Sequence, residues 1–240
     1  MNKIEIIEWP SLSRSGKSED DLYPYSNMIR RKDSIKMVPN HNRRTNDYER
    51  AAMKLKIAKA QSDIIKALGF DSEDPNLKDT PNRIARMLVD ELYWGCFNPE
   101  PKITTFPNTK NVDQMIMVGP IKVKSSCAHH GLSFIGEAYI GMIPDEKLIG
   151  LSKYARIVNW YARRPQIQEE LTEQIVEYIQ NKMNPKGCGV YITSKHLCMA
   201  CRGVEEENSF MDTVGLRGIF LDEASTKQEF FKLVDMKIRR

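Results

Sequence analysis

Two apolar-alternating runs, two helical runs and two further extended runs follow one another between residues 112 and 205, and few folds accept that order. Met115, Met117 and Val118 open an extended stretch that resumes at Ile121-Lys122-Val123-Lys124, where apolar and basic residues alternate. Phe134 to Ile143 reads as a second strand, and Pro144-Asp145 turns the chain. Ser152 to Arg163 is helical, with Tyr154, Ile157, Val158 and Tyr161 on one side. Pro165 restarts the helix, and Ile167, Leu171, Ile175, Ile179 and Met183 recur every four residues. Gly187 to Thr193 and Leu197 to Val204 read as strands, Phe210 to Leu221 as a further short extended stretch, and Thr226 to Lys237 as a closing helix. Two helices inserted between two hairpins imply an α+β layer, one antiparallel sheet in ββααββ order with helices on one face. A sheet of few strands has open edges, which invite closure by subunit association.

Upstream, a helix is expected from Asp47 to about Leu68, carrying Ala52, Leu55, Ala58, Ile64, Ile65 and Leu68, with Gly69 at the C-terminal cap. A second begins at Thr80-Pro81, a capping hydroxyl followed by proline at the first helical position, and ends near Gly95. Residues 11–44 are polar and poor in aliphatics, which predicts a flexible arm over 1–45. Its Arg30-Arg31-Lys32 and Arg43-Arg44 runs read as a solvated surface. The expected division is thus arm 1–45, helical segment 46–111, and a sheet domain with its C-terminal helix over 112–240.

Lys and Arg number 36 against 32 Asp and Glu, so the net charge is only +4 and no basic stripe for nucleic acid is evident. No apolar run approaches the roughly 20 residues that span a bilayer. Five cysteines in 240 residues are too few for a disulfide scaffold. The start, with acids inside a short apolar stretch, does not read as a secretory signal. A reducing, cytoplasmic protein with free thiols is expected.

Three of the four histidines and three of the five cysteines fall in two short segments, Cys127-Ala128-His129-His130 and His196-Leu197-Cys198-Met199-Ala200-Cys201. Thiolates and imidazoles are zinc ligands. Cys127 and His130 are close enough to converge in a tight turn, and Cys198 supplies a third ligand from the neighbouring segment. Two arrangements remain. Cys201 closes a structural four-ligand site through Cys198-x-x-Cys201, or it points away and water takes the fourth position. If 197–204 is a strand, residues 198 and 201 face opposite ways. That favours the open site, with His129 and His196 nearby to move protons.

Gly150 to Arg156 opens a helix that Ser152 can cap, and its free N–H groups favour an anion. Lys153 and Arg156 share a face there, and the plain alternative is two solvated cations. Arg83 and Arg86 share a helix face as well, and Arg202 follows the second Cys/His segment. Glu169 and Glu170 lie in the 165–183 helix. Most such glutamates are solvated, yet a carboxylate fits the paired N–H donors of guanine.

Taken in order, Leu77-Lys78-Asp79-Thr80-Pro81-Asn82-Arg83-Ile84-Ala85, Cys127-Ala128-His129-His130, Gly150-Leu151-Ser152-Lys153, Arg164-Pro165-Gln166-Ile167-Gln168-Glu169 and His196-Leu197-Cys198-Met199-Ala200-Cys201-Arg202-Gly203 resemble GTP cyclohydrolase I, over about residues 50–238. The resemblance implies a tunnelling fold (T-fold) and a homodecamer of two face-to-face pentamers with sites at subunit interfaces. It implies conversion of GTP and water into 7,8-dihydroneopterin triphosphate and formate. Position by position, Cys127, His130 and Cys198 match the zinc ligands and His129 and His196 the acid/base histidines. Glu169 matches the guanine-holding carboxylate, with Gln168 beside it. Ser152, Lys153, Arg156 and Arg202 match triphosphate and ribose contacts, and Arg83 and Arg86 match basic positions that reach the phosphates from a neighbouring subunit. The implied chemistry is protonation of guanine N7 by an imidazolium such as His196, addition of zinc-activated water at C8, loss of formate, and rearrangement to the pterin.

Two departures stand out. Ala128 occupies a position where the family usually has Glu, and Ser209-Phe210-Met211-Asp212-Thr213-Val214-Gly215 replaces a Thr/Ser-rich stretch. Two other readings are a tunnelling-fold enzyme for another purine or pterin, and a non-catalytic module closed around zinc by Cys201.

Overall fold

The computed structural model describes residues 41–239. The expected arm therefore lies outside the described residues up to position 40. Asn42 to Thr45 run beside a short helix at 94–97. Asn42 Nδ2 donates to Gly95 O and Asn98 O, both at 2.7 Å, and Arg43 N donates to Cys96 O at 2.6 Å.

Helix α1 (Asp47–Ala67) starts with a reciprocal capping box: Glu49 N donates to Asn46 Oδ1, and Asn46 N to the Glu49 carboxylate. Gly69 follows it in the left-handed conformation, φ +78°. Of this helix only Ile65 is buried, while Leu55 and Ile64 are exposed. Helix α2 (Thr80–Arg86) is capped at Asp79 with no side-chain bond, so Thr80 is its first residue rather than its cap. The Thr80 hydroxyl instead donates back to Asn76 O at 3.3 Å. A π-helical turn (Met87–Leu92) and short α3 (Trp94–Phe97) complete this segment.

A five-stranded sheet forms the rest. Strand β2 (Ile116–Cys127), β3 (Ser133–Ile143), β6 (Gly187–His196) and β7 (Met211–Gly218) are successive antiparallel neighbours. The two-residue β5 (Pro165–Gln166) lies parallel to the end of β2, so the order is β5-β2-β3-β6-β7. A separate pair joins β1 (Thr105–Pro107) to β4 (Lys147–Ile149). Among the described residues the outer edge of β7 has no strand partner, nor has the outer edge of β2 before Ser126.

Helices α4 (Leu151–Ala162) and α5 (Gln168–Met183) sit between the hairpins, as the periodicity requires. Alternation aims Val123, Phe134, Ala138, Ile140, Met142, Val190 and Ile192 at one face, where they pack on Tyr154, Ile157, Val158, Leu171, Ile175 and Ile179. Fully burying such side chains is worth about 1.5–3 kcal/mol each. Among the described residues the opposite face is covered at one end only. There α7 (Ile219–Asp222) and α8 (Ala224–Ile238) bring Phe220, Phe230 and Val234 onto Tyr139, Ile143 and Leu216. Gly141 makes that approach possible, since a Cβ there would lie 2.7 Å from Phe230 Cδ2.

Two elements differ from the sequence reading. Residues 197–204 are not a strand: α6 (Leu197–Ala200) is a helical turn, and β7 is the strand that pairs with β6 at the sheet edge. The cause is length. Register pairs Phe134 with His196, and β3 begins one residue earlier at Ser133, so at most one residue beyond His196 could find a partner. Pro165 does not restart a helix. It pairs with Ser126, and Ile167 stays extended (φ −105°, ψ 132°), which delays the helix to Gln168. No helix among the described residues is long and apolar enough to cross a membrane.

Phe230→Ala is expected to lower stability by about 3–5 kcal/mol, the usual cost of deleting a buried phenylalanine. A reduced urea midpoint checks this.

Candidate metal centre and its surroundings

Strands β2 and β6 end, and β3 begins, at the same margin of the sheet. After Cys127 the chain reverses in a tight turn. Gly131 N donates to Cys127 O and Cys127 N to Leu132 O, both at 2.8 Å, while Ser126 Oγ donates to Gly131 O at 2.9 Å. Gly131 has φ +69°, which glycine adopts without the Cβ penalty. The turn presents His129 and His130 to solvent and keeps Cys127 buried. Ala128 N donates to Gln166 O, tying the turn to β5.

One ligand atom each from Cys127, His130 and Cys198 lie within 4.8 Å of one another. Two thiols and an imidazole at this spacing suit a divalent transition metal with a vacant coordination position. Burial pushes the Cys198 thiol up, as does the adjacent Cys127 thiol, while its local backbone and the Arg202 guanidinium pull the other way. A bound cation replaces those thiol protons.

Cys201 stands apart, but not for the reason strand alternation suggested. Residues 197–200 are helical, and positions three apart on a helix share a face. What separates Cys201 is that its exposed thiol turns back to donate to Leu197 O at 2.7 Å.

His196 closes the sheet beside this group. Its ring lies flat on Phe134, with centroids 4.6 Å apart and planes 10° apart, and its Nε2 is 2.8 Å from Gln168 Oε1. Burial lowers its pKa, and the Glu169 carboxylate opposes that. His129 Nδ1 lies 3.8 Å from Cys127 Sγ. Glu169 is exposed in the first turn of α5, where a carboxylate complements the helix dipole. Arg202 is exposed, with Nη1 3.4 Å from Cys198 O.

Gln168, expected beside the substrate, is completely buried, and its amide is consumed by protein partners. Nε2 donates to Met211 O at 2.8 Å and to Ile192 O and Thr213 Oγ1 at 3.2 Å. Oε1 faces Ser194 Oγ and His196.

The remaining expected contacts are elsewhere. Gly150, without a side-chain bond, caps α4, so Ser152 is an exposed second-position residue and not the cap. Tyr154, on the next turn, donates its hydroxyl to Met142 Sδ at 3.8 Å. Met142 is eight residues along β3 from Phe134, roughly 26 Å at a rise of about 3.3 Å per residue. Ser152, Lys153 and Arg156 of this chain therefore do not join the metal group of the same chain. Arg83 and Arg86 are exposed on α2, with Arg83 3.6 Å from Asp79. Phe134, Ser194, Thr172 and Thr213, which hold His196 and Gln168, escaped the sequence reading. Their only signal is the pairing register, which no local pattern reveals.

A T-fold sheet with a Cys/His/Cys group at its strand ends and helices between its hairpins defines the class of protein. A family model for GTP cyclohydrolase I matches residues 57–235. GTP cyclohydrolase 1 of Wigglesworthia glossinidia brevipalpis is 43% identical over 178 residues, covering 74% of this chain and 82% of that one. The Chlorobium phaeovibrioides protein of that name is 42% identical over 171 residues, 71% and 77% of the two chains. That of Haemophilus ducreyi is 38% identical over 172 residues, 71% and 79%. The chain belongs to the GTP cyclohydrolase I family.

Cys198→Ser is expected to lose most of its bound divalent metal, whereas Cys201→Ser keeps the wild-type content. Metal analysis of the purified variants distinguishes an open three-ligand group from one that Cys201 completes.

Proposed function

We propose that this protein is a zinc-dependent GTP cyclohydrolase I that converts GTP and water into 7,8-dihydroneopterin triphosphate and formate. The observation that carries the reading is the convergence of Cys127, His130 and Cys198 within 4.8 Å beside two acid/base side chains, His129 and His196. Two thiolates and one imidazole are a zinc donor set, and three protein ligands leave one position open. When bound, zinc supplies Lewis acidity that makes water ionisable near neutral pH.

The chain's own groups do the rest. Glu169 accepts from the N1–H and N2–H of guanine, which fixes the purine edge. His196 donates a proton to N7, drawing electron density from C8 so that water can add there. His129 moves protons during ring opening and closure. Arg202, beside Cys198, meets the ribose and triphosphate.

Ser152, Lys153 and Arg156 bind phosphate from a neighbouring copy, with Arg83 and Arg86 also contributed across an interface. The roughly 26 Å along β3 from Met142, which Tyr154 of α4 touches, to Phe134 beside His196 supports that arrangement. The unpaired edges of β2 and β7 support ring closure, with two pentamers stacked into a decamer. Free thiols suit a reducing, cytoplasmic setting. Ala128 removes a carboxylate usual beside the ligands, a change of the kind that costs about 10–100-fold in activity.

Zinc-loaded protein given GTP is expected to release formate and a fluorescent pterin, identified by chromatography and mass. His196→Ala keeps its zinc and loses about 10²–10⁴-fold in kcat, the usual share of a general acid. A zinc-loaded protein that leaves GTP intact would overturn the reading. Light scattering is expected to show a ten-chain particle, and a stable monomer with full turnover would refute the shared site.

A further inference from the structure

We infer that Gln168 is a positioning residue that fixes the tautomer of His196, so that Nδ1 is the nitrogen left to exchange protons with the substrate. The inference rests on the cyclohydrolase reading only for what Nδ1 then does.

Hydrogen-bond logic settles the orientation of the amide. One terminal atom of Gln168 lies 2.8 Å from Met211 O and 3.2 Å from Ile192 O. Backbone carbonyls only accept, so that atom is the NH2 group and cannot be exchanged with the oxygen. The other atom is therefore Oε1, which also only accepts. It faces His196 Nε2 at 2.8 Å, and Ser194 Oγ donates to it as well. A neutral imidazole has one N–H, and an acceptor-only partner requires that N–H to be Nε2–H. Nδ1 is then the bare nitrogen.

Nothing nearby offers Gln168 a way out. Its side chain is wholly buried, and both its carbonyl partners belong to the sheet: Ile192 to β6, Met211 to β7. Thr213, a third acceptor, is itself held by the Thr172 hydroxyl at 2.6 Å. Phe134 fixes the ring plane by stacking at 4.6 Å. Ring rotation by 180° would put Cε1 in the place of Nε2 and forfeit the bond to Oε1. Each transfer from Nδ1 thus returns the ring to the same Nε2–H tautomer, ready for the next proton.

Neutron diffraction from deuterium-exchanged, zinc-loaded wild-type crystals, at a pH where the imidazole is neutral, tests this directly. Deuterium on His196 Nε2 with Nδ1 bare is expected; deuterium on Nδ1 alone overturns the inference. Gln168→Met, which keeps the length and loses the acceptor, is expected to lower kcat about 10–100-fold with KM for GTP within about 3-fold, because a wrong tautomer impairs the step and not the binding. A raised KM at unchanged kcat would mark Gln168 as a substrate contact and refute the positioning role. Where that variant does not fold, the neutron result on the wild type decides. Deuterium on Nε2 in a protein without GTP turnover leaves the tautomer standing and removes the cyclohydrolase reading; the reverse pair of results does the opposite.

Discussion

The pairing of β3 with β6 is the constraint on which the reactive end of this chain depends. It sets Phe134 opposite His196, and that single register places a stacking ring under an imidazole at the last paired position of the sheet. A slip by one residue would turn every side chain of β6 to the other face. His196 would leave Phe134, and Ser194 would leave Gln168. Gly136 helps to hold the register, since it lies opposite Ser194, and a Cβ there would sit 1.9 Å from Thr193 O and 2.5 Å from the Ser194 Cβ. No larger residue fits while these strands stay paired.

The buried amide of Gln168 joins three elements that share no local sequence. It sits at the first turn of α5, bonds the backbone of β6 and β7, and reaches the imidazole at the end of β6. Losing such a group would strand several partners in a dry environment, where each unsatisfied polar atom costs about 1–3 kcal/mol. The place of the His196 ring and the cohesion of the sheet are thereby supported by the same side chain.

Much of this architecture was legible in the order of residues. Four-residue spacing over Leu171, Ile175 and Ile179 and alternation around Val123 are periodic signals that survive in any context, and they placed α5 and β2. The two Cys/His segments contain the Cys127, His130 and Cys198 atoms that the fold brings within 4.8 Å of one another, a group that could hold a metal ion. Failures came where partners are distant. Residues 197–204 look extended in isolation, but a strand needs a neighbour, and β3 has none to offer past Ser133. Helix α1 shows helical spacing, yet Leu55 and Ile64 face solvent in the single chain, because period alone does not say what covers a face. The resemblance sets Gln168 beside Glu169, and the structure turns the two different ways at the helix start, Gln168 inward and Glu169 to solvent.

The uncovered edge of β7 has a consequence for how the chain must be made. A newly folded copy displays a row of backbone donors and acceptors along Met211–Gly218, a template for any stray strand. Exposed Asp212 and the Arg217–Glu173 ion pair put charge along that row, which penalises adhesion by apolar strangers and leaves the row open to a matching surface. Charge at Asp212, Arg217 and Glu173 thus works against adventitious adhesion while the strand edge is bare.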